Sequence, residues 1–189
     1  MTDFDYREFA EHMKKQAQEL VPQEFSEENK KYVVDKVYDN AILAWEGLIE
    51  NELENLNGDN MATLVLLIAR WTVHKSCDLI RSQVPRKYWD EILREIAFVI
   101  YETGKQAFME GLEEEEPLMD KIEYQVVKSY KKSLSELCRN NSISESVLEE
   151  ALTYSNYDET MKSRNPDYVP KNWVIEDDED DDFFDDWDI

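Results

Sequence analysis

The chain has 189 residues, of which 42% are apolar, and this is enough for one domain with a sizeable core. Its net charge is −23; ten of its acids lie in the last fourteen residues, and the rest of the chain still carries −13. This balance disfavours direct binding to nucleic-acid phosphates, which needs clustered Lys and Arg. It favours contact with basic surfaces of other proteins.

The sequence also bears on location. The most apolar run, residues 61–69, is nine residues long, whereas a membrane span needs about 20. The first fifteen residues, MTDFDYREFAEHMKK, are too polar for a signal or transit peptide. Cys77 and Cys138 lie far apart in apolar-periodic segments, which fits reduced, buried thiols better than a disulfide. We therefore expect a soluble cytoplasmic protein that does not engage a membrane.

Four glycines and five prolines in the whole chain favour long helices over many short strands. A first helix, ending before Pro22, is predicted by apolar residues spaced along one face: Phe9, Met13, Ala17 and Leu20. Ser26 is the expected N-cap of a second helix, with Glu27 and Glu28 in its first turn. An apolar stripe at helical spacing continues from Val34 to Leu56.

Four further helices follow in chain order. Asn57-Gly58 should end the second helix, and Asp59 should cap a third, about residues 60–83, which is apolar nearly all round and must be enclosed by others. Pro85 is expected to open a fourth helix that ends near Gly111. A fifth helix should span about residues 117–139. Ser142 and Glu145 have capping-box spacing for a sixth, about residues 143–154.

Together these elements predict an all-α fold: a bundle of five to six helices with a largely non-helical acidic C-terminal tail. The predicted organisation is a helical bundle domain (1–155), a linker (156–175) and an acidic-aromatic tail (176–189). Gly47 and Gly104 fall inside helices, where each costs about 1 kcal/mol relative to Ala. Close helix crossing is the favoured reason, with tolerated surface glycines as the alternative.

Few residues suggest a catalytic or metal-binding site. His74 and Asp78 are one helical turn apart and could form a dyad or half of a metal site, but a structural His is the favoured interpretation. No Gly-rich phosphate loop, nucleophile elbow or Cys-pair zinc spacing occurs. We therefore predict no catalytic residue, no cofactor and no metal site. Asp35, Asp39 and Glu46 are interpreted as a solvated helix face. Trp45, Trp71 and Trp89 are interpreted as core packing.

The tail, EDDEDDDFFDDWDI, combines ten carboxylates with four large apolar side chains. Acids steer a segment to a basic surface, and aromatic residues then anchor it. We expect a non-enzymatic interaction or adaptor protein that binds a protein partner with a basic, apolar-lined surface. The predicted partner-binding residues are Phe183, Phe184, Asp185, Asp186, Trp187 and Ile189. Three alternatives stay open: a tail that only increases solubility, an acidic nucleic-acid mimic or inhibitor, and a small all-helical enzyme.

The fifth helix offers a second candidate surface. Four cations align within about 40° on its helical wheel and extend over about 27 Å: Lys121, Lys128, Lys132 and Arg139. This stripe lies opposite the apolar face and could receive the tail of this chain. The alternative is a solvated face whose cations complement local acids.

Overall fold

The computed structural model describes residues 5–52, 54–111 and 115–153. They form six α-helices, and no strand occurs among them, so the predicted all-α bundle is confirmed. The helices are α1 (Tyr6–Leu20), α2 (Glu27–Asn51), α3 (Gly58–Arg81), α4 (Trp89–Met109), α5 (Glu115–Arg139) and α6 (Glu145–Thr153), with a 3₁₀ turn (Arg86–Tyr88) before α4. The predicted linker and tail lie outside the described residues, as do the partner-binding residues Phe183, Phe184, Asp185, Asp186, Trp187 and Ile189.

Successive helices pack against each other: α1 on α2, α2 on α3, α3 on α4, and α4 on α5. Two contacts fix the relative direction of α2 and α4. Tyr32, near the start of α2, donates a hydrogen bond to Asp90 at the start of α4. Glu52, directly after α2, pairs with Lys105 late in α4. α2 and α4 therefore run the same way, and α3, which connects back between them, runs opposite.

The third helix is the centre of the bundle. Fourteen of its residues are buried, and it contacts α1, α2, α4 and α6. One narrow side stays exposed, along Leu66, Arg70 and His74, so the helix is covered on its other sides and not all round as the sequence pattern predicted. The three tryptophans interpreted as packing, Trp45, Trp71 and Trp89, are buried in the same core.

The helix starts show where capping predictions hold and where they fail. Ser26 caps α2 as expected, with its hydroxyl accepting from the Asn29 amide. The cap of α3 is Asn57, which accepts from the Asn60 amide, so the prediction of Asp59 was wrong by two residues. Ser144, rather than Ser142, accepts from the Val147 amide at the start of α6. At each wrongly predicted cap, more than one nearby polar residue could accept a hydrogen bond from the first helical amides, and the sequence does not tell which one does.

The two helix-interior glycines have different surroundings. A Cβ placed on Gly104 of α4 would lie 2.1 Å from Leu64 Cδ2 of α3, so this position is a close helix crossing. A Cβ on Gly47 would meet nothing within 4 Å. The close-crossing prediction is thus right for Gly104 and wrong for Gly47.

Candidate functional site

The fifth helix has two chemically different sides. Its inner side is buried along a regular apolar row: Ile122, Val126, Tyr130 and Leu134. This side packs against α4, and α6 covers part of the helix as well. The spacing of four residues keeps the row on one face, which is why the helix docks in a single orientation.

The outer side carries the predicted basic stripe. Lys121, Lys128, Lys132 and Arg139 are all exposed. The structure therefore brings the four cations to one accessible face, which we call the α5 basic face. Tyr124, one turn before Lys128, borders this face and is 43% exposed.

The charge of this face differs from that of the chain. Between residues 121 and 139, α5 contains five basic residues, including half-buried Lys131, and two acidic ones. One of the two acids, Glu123, is completely buried. The exposed acid in this stretch is Glu136. A segment of clear positive charge thus lies on the surface of a chain whose net charge is −23.

The cations of the face differ in their local partners. Lys121 pairs with Glu110 at the end of α4, with 3.5 Å between Nζ and Oε2. Both side chains are about half exposed, so water screens this pair and it contributes little stability. Among the residues that the structure describes, no carboxylate lies within ion-pair distance of Lys128 or Arg139. Local neutralisation therefore accounts for part of the face and leaves two of its cations accessible to another anion.

A buried polar cluster lies between α3 and α5, on the inner side of α5. Lys75 Nζ donates to Asp78 Oδ2 over 2.9 Å, and the two residues are 2% and 3% exposed. Lys75 also lies 4.7 Å from the centre of the Tyr130 ring. Burial raises the pKa of Asp78, while Lys75 lowers it less strongly. Burial, and secondarily the charge of Asp78, raises the pKa of Tyr130 far above its usual range.

This cluster bears on the alternative in which Asp78 forms a dyad with His74. His74, the residue paired with it by spacing, is exposed, and its ring lies 5.8 Å from that of Trp71. Asp78 is buried and is bonded to Lys75, so the two members of the suggested dyad occupy different environments. Sequence reasoning missed Lys75, although a lysine and an aspartate three residues apart in an all-round apolar helix are a signal for a buried pair.

A shallow polar depression of about 250 Å³ lies between the first half of α2 and the 3₁₀ turn. Tyr32 donates to Asp90 at 2.8 Å, Lys36 lies 3.0 Å from the same carboxylate, and Arg86 pairs with Glu28. Its lining balances three cations against three acids: Glu28, Lys31, Tyr32, Asp35, Lys36, Asp39 and Arg86. Asp35 and Asp39, predicted to form a solvated face, line it, and Asp35 bridges to Lys31. The depression is internally neutralised and presents no net charge to a ligand.

Comparison with known proteins identifies no relative: no protein-family model, curated protein or solved structure matches the chain. Among the described residues, no group of three or more His, Cys, Asp and Glu side chains is arranged to hold a metal ion. In the same part of the chain, no helix combines the length and apolar character required to cross a membrane. The α5 basic face, where four exposed cations share one side of a helix, is the candidate functional surface that the described geometry defines best.

Proposed function

We propose that this is a non-enzymatic interaction protein whose C-terminal segment, residues 176–189, binds a basic, apolar-lined surface of a partner protein. The observation that supports this most is the separation of charge in the chain. The described helices carry an exposed basic face on α5, bordered by the exposed ring of Tyr124, and the same sequence ends in a segment that is rich in acids and aromatics. The chain thus contains both halves of the recognition chemistry that we propose.

The two residue types in the segment have separable roles. Ten carboxylates give long-range attraction that accelerates encounter with a basic surface. Phe183, Phe184 and Trp187 supply large apolar area, and such residues dominate the binding energy of interfaces. Acids alone would explain solubility, but they give no reason for three aromatic side chains within five residues.

The test uses the purified full-length protein as bait to capture partner proteins, and it compares this protein with two variants. One replaces Phe183, Phe184 and Trp187 by Ala; the other replaces Asp185, Asp186 and Asp188 by Asn. A captured partner is then purified, and its association and dissociation rates are measured. The aromatic variant should dissociate faster, with a loss of about 2 kcal/mol or more if one residue is a hot spot. The Asn variant should associate more slowly and depend less on salt.

A matched control is Phe98→Ala on α4, which removes a ring that is 58% exposed elsewhere on the molecule. This variant should bind the partner as tightly as the wild type. If the triple Ala variant also retains the wild-type affinity, the segment serves solubility and the proposal fails.

A further inference from the structure

We infer that the facing sides of α2 and α4 bind a basic, amphipathic helix of a partner protein. Two contacts define these sides: the Tyr32–Asp90 hydrogen bond at one end and the Glu52–Lys105 pair at the other. We call the surface between these contacts the α2–α4 surface; from Asp90 to Lys105 it is about 22 Å long. The inference does not rest on the proposed function, because this surface contains none of residues 176–189.

Two exposed apolar side chains lie at the middle of the α2–α4 surface. Leu43 of α2 is 61% exposed, and Phe98 of α4 is 58% exposed. At about 100° per residue, Leu43 lies within about 20° of Tyr32 on its helical wheel, and Phe98 lies within about 20° of Lys105 on its own. Leu43 is about 16 Å beyond Tyr32 along α2. Phe98 is about 12 Å beyond Asp90 along α4, so the two apolar side chains lie within about one turn of the same level.

The surface beside these two side chains is open. A Cβ placed on Gly47, one turn after Leu43, would meet nothing within 4 Å. Single exposed apolar residues are common and need no partner, but here two of them lie at one level on facing sides of two helices. Together with the bare backbone at Gly47, they give an incoming helix an apolar anchor and room for close approach.

The charge around the anchor is strongly negative. The stretches of α2 and α4 on this surface, residues 37–52 and 91–104, contain seven acids and one base, Arg94. On their helical wheels, five of the acids lie within about 60° of Leu43 or Phe98. These five are exposed, and none forms an ion pair with another described residue: Asp39, Glu46, Glu50, Glu91 and Glu95.

This charge selects the class of partner. The cations at the two ends of the surface, Lys36 and Lys105, are already paired with Asp90 and Glu52, so they do not neutralise the acids between them. A segment that surrounds its apolar residues with Lys and Arg matches both the anchor and the acids. The net charge of −23 also attracts such a segment, whereas it repels an acidic one.

The length of the surface favours a helical segment. A helix of about 14 residues is about 21 Å long and matches the distance between the two end contacts. Such a helix satisfies its own backbone hydrogen bonds and can present apolar residues on one side. An extended segment would need a sheet edge for its backbone, and no strand occurs in the described part of the chain.

The test titrates the full-length protein with a synthetic peptide of about 14 residues, made of Leu and Lys, whose leucines share one helical side. The control peptide has the same composition, with its leucines spread around the helix, so both peptides carry the same charge. Fluorescence anisotropy of a label on the peptide gives the affinity, and amide chemical shifts of the protein locate the contact. We expect the amphipathic peptide to bind about tenfold more tightly and to shift the amides around Leu43 and Phe98.

Two variants separate the apolar anchor from other exposed apolar residues. The double variant Leu43→Ala, Phe98→Ala should weaken binding of the amphipathic peptide by about tenfold. The control variant Leu20→Ala, Leu66→Ala removes two exposed leucines from α1 and α3 and should bind as the wild type does. All four side chains are exposed, so both variants should keep the helical circular dichroism of the wild type.

Two further variants assign the role of the acids. Replacing Asp39 by Asn and both Glu46 and Glu50 by Gln should slow association of the amphipathic peptide and reduce its dependence on salt. The control replaces three exposed acids of α1 and α5 by Gln: Glu11, Glu19 and Glu136. This control should change the association rate less, because its acids lie away from the α2–α4 surface. Equal effects of the two variants would count against the inference.

The inference is overturned if the two peptides bind equally, if the Leu43→Ala, Phe98→Ala variant keeps the wild-type affinity, or if the shifts are confined to other parts of the chain. It is also overturned if sedimentation velocity shows self-association that this variant abolishes, because the surface would then bind a second copy. Capture through residues 176–189 is expected to be unaffected by Phe98→Ala. Failure of the peptide test therefore leaves the proposed function to the capture experiment, and failure of capture leaves the peptide result standing.

Discussion

The ammonium group of Lys75 lies 2.9 Å from the carboxylate of Asp78 on the same helix, and both side chains are almost completely buried. A buried pair is costly to break, because removal of one partner leaves the other charge in the core without compensation. We expect Lys75→Met to lower the free energy of unfolding by about 3–5 kcal/mol. Urea denaturation followed by circular dichroism would measure this.

The exposed pair Lys31–Asp35, at 3.2 Å, is the matched control. Lys31→Met should cost less than about 1 kcal/mol, because water screens this pair. The double variant Lys75→Met, Asp78→Leu should recover much of the loss, since apolar residues can replace a buried pair at little cost. Equal stability of the Lys75 and Lys31 variants would contradict the structural role of the buried pair.

A second pair, Glu52 and Lys105, should make stability depend on pH. Lys105 Nζ lies 2.7 Å from Glu52 Oε1. The hydrogen bond from Lys105 is the main reason why the pKa of Glu52 lies below its ordinary value of 4.5, against the opposing effect of burial. The same bond raises the pKa of Lys105 from 10.5.

These pKa shifts determine the direction in which stability changes with pH. Glu52 contributes stability above its unfolded-state pKa, and this is lost as pH falls through the lower folded-state pKa. Lys105 contributes stability below its unfolded-state pKa, which is lost as pH rises through the higher folded-state pKa. Glu52→Gln should thus cost about 2 kcal/mol at neutral pH, and the difference from wild type should shrink in acid. Glu110→Gln, which removes a half-exposed pair, should change stability little at either pH; an equal pH response of both variants would refute the assignment.

We expect replacement by Ala to have opposite effects on stability at the two interior glycines. Gly104→Ala places a methyl group against Leu64, which is fully buried, so we expect a loss of about 1–3 kcal/mol from overpacking. Gly47→Ala meets nothing within 4 Å and should gain up to about 1 kcal/mol from helix propensity. Thermal unfolding of the two variants checks this, and a stabilising Gly104→Ala would show that α3 and α4 separate at no cost.

The two thiols should differ in reactivity. Burial raises the pKa of Cys77 to about 11, so little thiolate exists near neutral pH, whereas Cys138 is half-buried on α5. Ellman's reagent should titrate one thiol rapidly and the second upon unfolding. Cys138→Ser should abolish the rapid phase, and its survival in that variant would show that Cys77 is accessible.

Hydrophobic spacing by itself determined the fold class and the approximate helix bounds, because a helix with apolar residues every three or four positions can bury them only on one side. It also placed Lys121, Lys128, Lys132 and Arg139 on one face, since their common direction is a property of helix geometry alone. The acidic-aromatic composition of residues 176–189 is likewise visible in the sequence, and its partner-binding role stays a prediction.

Only the tertiary structure decided which polar residues are buried. Asp78 could have faced either His74 or Lys75, since both lie within one turn of it. In the folded bundle Lys75 bonds to Asp78 and lies 4.7 Å from the centre of the Tyr130 ring. Gly47 and Gly104 look alike in sequence, but only Gly104 meets a neighbouring helix. Burial and close approach depend on contacts between residues distant in the chain, and local spacing carries no information on which helix covers which face.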